Sequence, residues 1–449
     1  KKLYNQLLKM TICIATSNYF PDTGGIATYS RRLATLMANA GHKAIVLTID
    51  IAAMADEEDS LETEKNGILI IKLKTTFHKH YTFYKKYFKQ GNMDASYWIA
   101  TGFAMQEWMS ANMHKYNIDI IEASAFGGIG SFLKGKGFPP FLLSGHGAFF
   151  QYKHFNNNKE DEQTRLVEKL EQLAFKIADG IISHSQQSKK DIEQYTSAKV
   201  HIARIAFVPE YNFLVEARQE KNANQKYVLV VGSLQQLKGP FILFDALKQI
   251  NKKQSGLEIR WAGTDNYFQE TGELMSKYLE KKYPELWNKQ IIWEKYPDDN
   301  RLSELYTNAA FIIIPTIWES FNVISIEAAF FKKAIIITET TGSSFLFSHE
   351  ENALIIKPEN TEALVEAILK LKGSPEFCDE LGHAAYKTIS ELLTEERIVE
   401  ERIDIYKQTI QDAAGKYASF NLSFLGHYTT FSRLVYFSCR RFIKKIFKG

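Results

Sequence analysis

Hydrophobic residues fall mainly into short runs that are rich in Ile and Val and that end at Gly, Pro or polar residues. Such unbroken runs are typical of strands buried on both faces of a parallel sheet. Between most of them lie segments with the apolar spacing of a helix, including residues 28–40, 167–178, 240–252 and 361–371. This alternation predicts right-handed β-α-β units in doubly wound α/β sheets.

The runs predict thirteen strands, which are too many for one comfortable open sheet. A polar stretch at residues 212–225 separates them into two sets and predicts a linker. The first set comprises residues 10–16, 44–50, 68–73, 118–122, 140–144, 180–183 and 200–207, and the second comprises residues 227–232, 257–263, 290–294, 309–315, 333–338 and 353–357.

We therefore expect two Rossmann-like domains, at residues 1–211 and 226–394, that face each other across a cleft. A terminal helix at residues 395–414 is expected to cross back to the first domain, before a basic aromatic tail at residues 415–449. Open parallel sheets bind ligands beyond the carboxyl ends of their strands. Two such edges facing one another predict a binding site between the domains.

Composition excludes several other classes of protein. The 449 residues are 45% hydrophobic and 24% charged, which is ordinary for a globular chain. The 55 basic and 52 acidic residues give a net charge of +3, so we expect no nucleic-acid partner. Three cysteines cannot form a disulfide framework and fit a cytoplasmic location. No run approaches the roughly 20 apolar residues that span a bilayer, and residues 1–9 do not predict a signal peptide.

A loop with paired glycines follows the first predicted strand. Pro21, Gly24 and Gly25 predict a turn, and a helix is expected to begin near Ile26. Paired glycines let backbone N–H groups approach a ligand closely, and a helix N-terminus favours an anion. The alternative is an ordinary turn between a strand and a helix, and this motif alone leaves both interpretations open.

A second loop follows the first strand of the second predicted domain. It contains Gly232, Ser233 and Lys238, and Gly239 and Pro240 then open the next helix. Lys238 would therefore stand at a helix N-terminus on the ligand edge of the sheet, where its ammonium could neutralise phosphate oxygens. A solvated surface lysine is the alternative.

The third motif carries two carboxylates that are eight positions apart. A strand ends at Pro315, a loop carries Glu319, and a helix is expected to start near Asn322 and to bear Glu327. Each carboxylate could bind hydroxyls of a polyol, with the helix N-terminus between them free for a phosphate. In the alternative interpretation Glu319 caps the helix and Glu327 is solvated.

Together the three motifs resemble those of the family 4 glycosyltransferases, which are retaining enzymes with the two-domain GT-B fold. The resemblance covers roughly residues 10–411. It implies a nucleotide-sugar donor and a glycan, glycolipid or glycoprotein acceptor. It also implies a transfer on one face of the sugar, in which the leaving phosphate helps to deprotonate the acceptor hydroxyl.

The resemblance also implies a role for each matching residue. Gly24 and Gly25 would bring main chain against the donor, Lys238 would stabilise the diphosphate, and Glu327 would bind the ribose hydroxyls. Glu319 would contact the donor sugar, and His146, between a strand and Gly147, would lie beside it. The remaining donor-binding positions are Gly232, Ser233, Phe321, Asn322 and Val323.

Some positions depart from the family pattern. Ser233 stands where the family usually has an arginine, so one phosphate cation is missing, and Arg204 is one candidate to replace it. Asn322 stands where a glycine is usual, and the glycine stretch after the helix reads Phe-Phe-Lys-Lys at residues 330–333. A non-catalytic protein that binds sugar nucleotides therefore remains an alternative. A nucleotide-dependent oxidoreductase is disfavoured because Gly24-Gly25 is not a Gly-x-Gly-x-x-Gly motif.

No Asp-x-Asp motif or histidine cluster points to a metal, so we expect neither a metal ion nor another cofactor. Two basic aromatic segments point to a further partner. Residues 71–90 contain six lysines, six aromatic residues and no acid, and residues 415–449 contain seven basic residues and no acid. Such segments are typical of contact with an anionic membrane surface or a lipid-linked acceptor. The alternative for residues 71–90 is a solvated basic loop. The alternatives for the tail are packing on the first domain and an arm that binds a partner or a nucleic acid.

Overall fold

The structure is a computed structural model that describes residues 9–19, 24–52, 57–64, 66–88, 93–135, 137–156, 160–207, 227–252, 256–295 and 297–414. The expected linker at 212–225, the tail at 415–449 and the first eight residues lie outside the described residues.

The first half of the chain forms an eight-stranded sheet in the order β3-β4-β2-β1-β5-β6-β7-β8, parallel except for the β3–β4 pair. Its strands are β1 (Thr11–Ala15), β2 (Lys43–Ile49), β3 (Ser60–Thr63), β4 (Leu69–Leu73), β5 (Ile120–Ser124), β6 (Phe141–Gly145), β7 (Gly180–Ser183) and β8 (Lys199–Ile202). Its helices are α1 (Gly25–Asn39), α2 (Thr75–Tyr84), α3 (Ala95–Tyr116), α4 (Phe149–Tyr152), α5 (Glu162–Ile177) and α6 (Gln186–Glu193).

The second half forms a parallel six-stranded sheet in the order β13-β10-β9-β14-β15-β16. The strands are β9 (Tyr227–Val231), β10 (Ile259–Gly263), β13 (Ile291–Lys295), β14 (Ala309–Ile314), β15 (Ala334–Thr338) and β16 (Leu354–Ile356), and β11 (Tyr267–Phe268) and β12 (Glu273–Leu274) form a small antiparallel pair. The helices are α7 (Pro240–Asn251), α8 (Met275–Lys282), α9 (Asp299–Asn308), α10 (Val323–Phe330), α11 (Thr361–Gly373), α12 (Pro375–Leu392) and α13 (Glu395–Ala413).

The two sheets confirm the predicted α/β class with two doubly wound sheets. Every predicted apolar run forms a strand, and the central ones are buried on both faces because helices cover both sides of each sheet. The run at 200–207 was expected to be one strand, but regular pairing ends at Ile202. The sequence did not predict β3, whose residues are polar and mostly exposed, or the two-residue strands β11 and β12.

The last helix of the described residues, α13, lies against the first sheet. Arg402 of α13 donates from Nη1 to Oε1 of Glu122 on β5 at 2.9 Å, and Tyr406 donates to Oε2 of Glu122 at 2.5 Å. The side chain of Arg402 is 1% exposed. The chain therefore returns to the first domain after completing the second.

The described part of the basic segment 71–90 is not a solvated loop, contrary to one of the interpretations above. Residues 75–84 of this segment form α2, which packs on α3 with Phe77 buried. Glutamates of neighbouring segments lie beside three of the lysines, in the pairs Lys72–Glu62 at 2.9 Å, Lys74–Glu57 at 3.0 Å and Lys79–Glu107 at 3.3 Å. The segment has no acidic residue of its own, but in the folded protein these glutamates balance part of its positive charge. Among the described residues no helix has the length and hydropathy needed to cross a membrane.

Candidate active site

A cavity of about 520 Å³ lies between the two domains, at the carboxyl ends of the central strands. Both domains contribute to its walls. Seven of the eleven residues predicted for the site line it, namely Gly25, His146, Lys238, Glu319, Phe321, Val323 and Glu327. The other four do not line it but lie directly beside lining residues in the chain or in space, namely Gly24, Gly232, Ser233 and Asn322.

The glycine pair opens α1 at the edge of the cavity. Gly24 is the N-cap with a φ of 153°, a region that favours glycine, and Gly25 is the first helical residue. A Cβ atom added to either glycine would meet nothing within 4 Å. Space beside the backbone is therefore open, as the approach of a ligand to the first N–H groups of α1 requires.

The loop after β9 holds Lys238 through a turn that only glycine can make. Gly239 has a φ of 71°, and a Cβ atom at this position would lie 2.0 Å from the carbonyl oxygen of Pro315. The backbone N–H of Ile317 donates to the carbonyl of Leu237 at 2.8 Å. The loops after β9 and β14 are thus fastened together, which brings Lys238 to the third motif.

Glu319 is held on both of its carboxylate oxygens. Nζ of Lys238 lies 2.7 Å from Oε1, and the amide of Asn322 donates to Oε2 at 2.7 Å. Asn322 also caps α10, because its Oδ1 accepts from the backbone N–H of Ser325 at 3.0 Å. The helix is therefore capped by Asn322, and the alternative in which Glu319 is the cap is wrong.

Glu327 lies one turn into α10 and is only 8% exposed, which contradicts the alternative of a solvated carboxylate. Tyr306 of α9 donates to its Oε2 at 3.0 Å. Nη2 of Arg32, on α1 of the other domain, lies 3.8 Å from its Oε1. Burial raises the pKa of Glu327, and the charge of Arg32 and the hydroxyl of Tyr306 act in the opposite direction.

His146 follows β6 and faces the cavity with its ring packed between two others. Tyr29 meets it edge-on at 4.0 Å between ring centroids, and His184 stacks on it at 5.5 Å. Burial lowers the pKa of His146 to about 3, and the positive charge of Arg402 adds to this effect. The imidazole is therefore neutral at physiological pH and can exchange hydrogen bonds there without carrying charge.

Neither Ser233, which stands at the position of the missing arginine, nor its candidate replacement Arg204 lies in the cavity wall. The hydroxyl of Ser233 accepts from the amide of Gln235 at 2.9 Å. Arg204 instead pairs with Glu401 of α13 at 2.8 Å and does not line the cavity. The expectation that Arg204 could replace the missing arginine is therefore wrong.

Several lining residues were given no role by the sequence. Trp318 stacks on Phe155 of the other domain at 5.8 Å between centroids, and Ser320 donates to the carbonyl oxygen of His146 at 2.9 Å. Arg32 and Gln235 also line the cavity. Trp318 and Ser320 flank Glu319 in the third motif, so their proximity could have been inferred, but the position of Arg32 depends on how the domains face each other.

Within the described ranges no three His, Cys, Asp or Glu side chains are grouped as for a metal ion. Residues outside those ranges are not covered by this observation, and metal independence stays a prediction.

The two facing Rossmann-like sheets, with a charged site at their carboxyl edges, define a protein of the GT-B class. Similar proteins agree with this assignment. The family model described as "Glycosyltransferase Family 4" matches residues 23–206, and the one described as "Glycosyl transferases group 1" matches residues 213–388. The chain belongs to the family 4 glycosyltransferases and is a glycosyltransferase.

Three distant proteins are similar to this chain over nearly their whole length. An uncharacterized glycosyltransferase of Methanocaldococcus jannaschii is 20% identical over 413 residues, which cover 89% of this chain and 98% of the relative. Sucrose-phosphate synthase of Thermosynechococcus elongatus has a TM-score of 0.68 at 19% identity, over 90% of this chain and 100% of that one. HepE of Anabaena, solved in complex with UDP, has a TM-score of 0.58 at 15% identity, over 91% of this chain and 100% of HepE.

Proposed function

We propose that this glycosyltransferase takes its sugar from a nucleotide-sugar donor and retains the configuration at the anomeric carbon. The observation that carries the proposal is the Lys238–Glu319 pair at 2.7 Å, inside a cavity at which α1 and α10 both begin. A cation and two helix N-termini together suit a diphosphate. HepE, which is similar in fold to this chain, was solved in complex with UDP, and this supports a nucleotide as part of the donor.

The proposed roles follow the distribution of charge. Lys238 and the N-terminus of α10 stabilise the diphosphate as the bond from its oxygen to the anomeric carbon breaks. The acceptor hydroxyl forms its new bond on the same face of the sugar, and its proton passes to an oxygen of the departing phosphate. Glu319 is not the nucleophile in this scheme, because Lys238 and Asn322 already occupy its two oxygens.

Glu327 binds the hydroxyls of the nucleotide ribose in the proposed complex. Its oxygens face the cavity from the first turns of α10, and Tyr306 fixes the orientation of the carboxylate. His146 offers a neutral hydrogen-bonding partner to a hydroxyl of the donor sugar. Neither role requires the residue to gain or lose a proton during transfer.

The test is a thermal-shift screen of the full chain against UDP, GDP, ADP, CDP and dTDP and their sugars. A ligand that binds only the folded state at 100 times its dissociation constant stabilises it by about 2.7 kcal/mol. We expect one diphosphate and its sugar to raise the melting temperature, and Lys238→Met and Glu327→Gln to reduce the rise. Lys248→Met is the matched control, since Lys248 lies on α7 outside the cavity and pairs with Glu285 at 3.0 Å.

Release of nucleotide in the presence of an acceptor would then measure turnover, and proton NMR of the product would identify its anomeric configuration. An inverted product would refute the retaining mechanism. Failure of every nucleotide to stabilise the protein would refute the proposed donor. Binding without turnover on any acceptor would favour the non-catalytic alternative instead.

The acceptor in this proposal is a glycan, a glycoprotein or a lipid-linked sugar, and the last is favoured by the tail. The acid-free residues 415–449 would place the enzyme on the cytoplasmic face of a membrane. The lysines of the segment 71–88 are expected to contribute less to membrane binding than their number implies. Three of them are paired with glutamates, which reduces the positive charge that the segment presents. Deleting residues 415–449 should abolish cosedimentation with vesicles containing phosphatidylserine at low salt. Unchanged cosedimentation would contradict this part of the proposal.

A further inference from the structure

Arg32 brings a positive charge from the first domain to a carboxylate of the second. It lies on α1, lines the cavity and is only 4% exposed. The carbon at the centre of its guanidinium group lies 4.6 Å from the centroid of the Phe207 ring, which supports the side chain from one side. Its Nη2 lies 3.8 Å from Oε1 of Glu327. The contact is an ion pair that spans the cleft.

Position along α1 separates Arg32 from the place where a diphosphate would bind. The helix begins at Gly25, and seven residues at 1.5 Å each put Arg32 about 10 Å further along the axis. Lys238 and the N-terminus of α10, rather than Arg32, supply the positive charges proposed for the diphosphate. Arg32 is therefore placed for the end of the donor that Glu327 would hold.

The groups around Glu327 have opposing effects on the ionisation of its carboxylate. Two groups on α9 also act on this carboxylate: Tyr306 donates to Oε2, and the negative charge of Asp299 opposes its ionisation. Burial has the largest effect and raises the pKa of Glu327. Arg32 is the cation that counters burial, and it does so from the opposite domain.

We infer that Arg32 is a positioning residue for the ribose of the donor, which holds the Glu327 carboxylate ionised and directed at the hydroxyls. The inference rests on the proposed function, because it requires Glu327 to bind a ribose. It adds that the ribose site is complete only when both domains contribute. An ionised carboxylate accepts hydrogen bonds from two hydroxyls, whereas a protonated one offers fewer acceptors.

The test compares ligands with and without ribose hydroxyls. The probe is whichever of UDP, GDP, ADP and CDP stabilises the wild-type chain most, together with its 2′,3′-dideoxy analogue. Isothermal titration calorimetry would give both dissociation constants for the wild type, Arg32→Met, Arg32→Lys and the control Arg31→Met. Arg31 is adjacent on α1 but does not line the cavity.

We expect Arg32→Met to weaken the ribonucleotide about tenfold, the effect of losing roughly 1.4 kcal/mol, and to leave the dideoxy analogue almost unchanged. Arg32→Lys should retain most of the affinity because it keeps the charge. In Glu327→Gln, adding Arg32→Met should have no further effect. Raising the pH should restore part of the affinity of Arg32→Met, since a carboxylate that has lost its cation ionises only at higher pH.

Equal weakening of the ribonucleotide and its dideoxy analogue would overturn the inference, because Arg32 would then act on the phosphates or on the fold. Unchanged affinity in Arg32→Met would overturn it as well. Should Arg32→Met not fold, Arg32→Gln carries the same comparison. If the wild-type chain binds none of these four ribonucleoside diphosphates, the inference about the ribose fails. The proposed function fails only if dTDP and the nucleotide sugars also leave the melting temperature unchanged.

Discussion

The side-chain amide of Asn322 contacts two groups at the start of α10. Its oxygen accepts from the N–H of Ser325, and its nitrogen donates to Glu319. A glycine, usual at this position in the family, would leave both contacts unmade. A second departure, Lys332, adopts a left-handed φ of 55° in the segment where the family has glycines. Lys332 thus adopts a conformation that favours glycine, and Asn322 makes contacts that glycine cannot provide.

Replacing Asn322 tests its two contacts separately. Asn322→Ala should destabilise the protein by about 1 kcal/mol, and Asn322→Gly by only a few tenths, because glycine is tolerated at an N-cap. Both variants release Glu319 and should lower turnover to a similar degree. Urea unfolding measures the first effect and nucleotide release the second. Equal stability of the two variants would contradict the capping role.

His146 links the site to the pH dependence of stability. Its pKa, and that of neighbouring His184, is lowered to about 3 by burial, whereas an unfolded histidine titrates near 6.5. Below about 6.5 the unfolded chain therefore binds protons that the folded chain does not. This part of the stability is fully present above that pH and is lost as the pH falls toward 3.

We therefore expect the free energy of unfolding to fall less steeply in His146→Gln than in the wild type between pH 6 and pH 4. The difference should approach 1.4 kcal/mol per pH unit, roughly the effect of one proton. Urea unfolding at several pH values measures both slopes. Identical slopes would mean that His146 becomes protonated in the folded protein.

At the scale of elements, each glycine at a loop between a strand and a helix has its own effect on packing. Gly239 lets the turn with Lys238 rest on the carbonyl of Pro315, and Gly342 passes equally close to the carbonyl of Ser320. Both contacts fasten the loops that carry the charged pair. The geometry of the site therefore depends on backbone contacts as well as on its side chains.

Gly239→Ala should destabilise the second domain and reduce nucleotide binding. Its φ of 71° alone strains an alanine by about 1–3 kcal/mol, and the clash with Pro315 adds to this strain. Gly373→Ala is the control, since a Cβ atom there meets nothing within 4 Å and its φ is ordinary. Calorimetric melting of both variants is the measurement. A shift in Gly239→Ala no larger than in Gly373→Ala would contradict the packing argument.

Buried elements were predictable from the sequence, and exposed elements were not. The Ile- and Val-rich runs predict strands because a strand that is buried on both faces is hydrophobic at nearly every position. The strand β3 was not predicted because it lies at the edge of the sheet, pairs only with β4 and is mostly exposed, so it has no hydrophobic run. Lys238, Glu319 and His146 could be placed at the cleft because each lies in the segment that follows a parallel strand. Arg32 could not, because no local pattern fixes the angle between two domains.

In the molecule as a whole, one buried ion pair joins α13 to the first sheet. Glu122 accepts from Arg402, Tyr29, Tyr406 and Ser144. Burial alone would raise the pKa of Glu122, but the charge of Arg402 and the three hydroxyls bring it below the ordinary value. Tyr29 is also the ring against His146, so this pair lies directly behind the active site.

Arg402→Met should destabilise the protein by about 3–5 kcal/mol, because it leaves a buried charge without its partner. Adding Glu122→Gln should recover part of this loss, since the amide oxygen still accepts from the tyrosines. Lys407→Met is the control on the same helix, where an exposed pair with Asp404 at 4.0 Å should contribute less than about 1 kcal/mol. The measurement is chemical unfolding of the wild type, Arg402→Met, Glu122→Gln, the double variant and the Lys407→Met control. Additive losses would contradict a direct pairing.

The same pair has a consequence for synthesis on the ribosome. Glu122 precedes Arg402 by 280 residues, so the first sheet emerges long before its buried carboxylate can be neutralised. Until α13 emerges, burying Glu122 requires either a proton or an unpaired charge in the core. The first domain therefore reaches its final packing only after the second domain has been translated. The earliest strands of the protein are among the last to be fully stabilised.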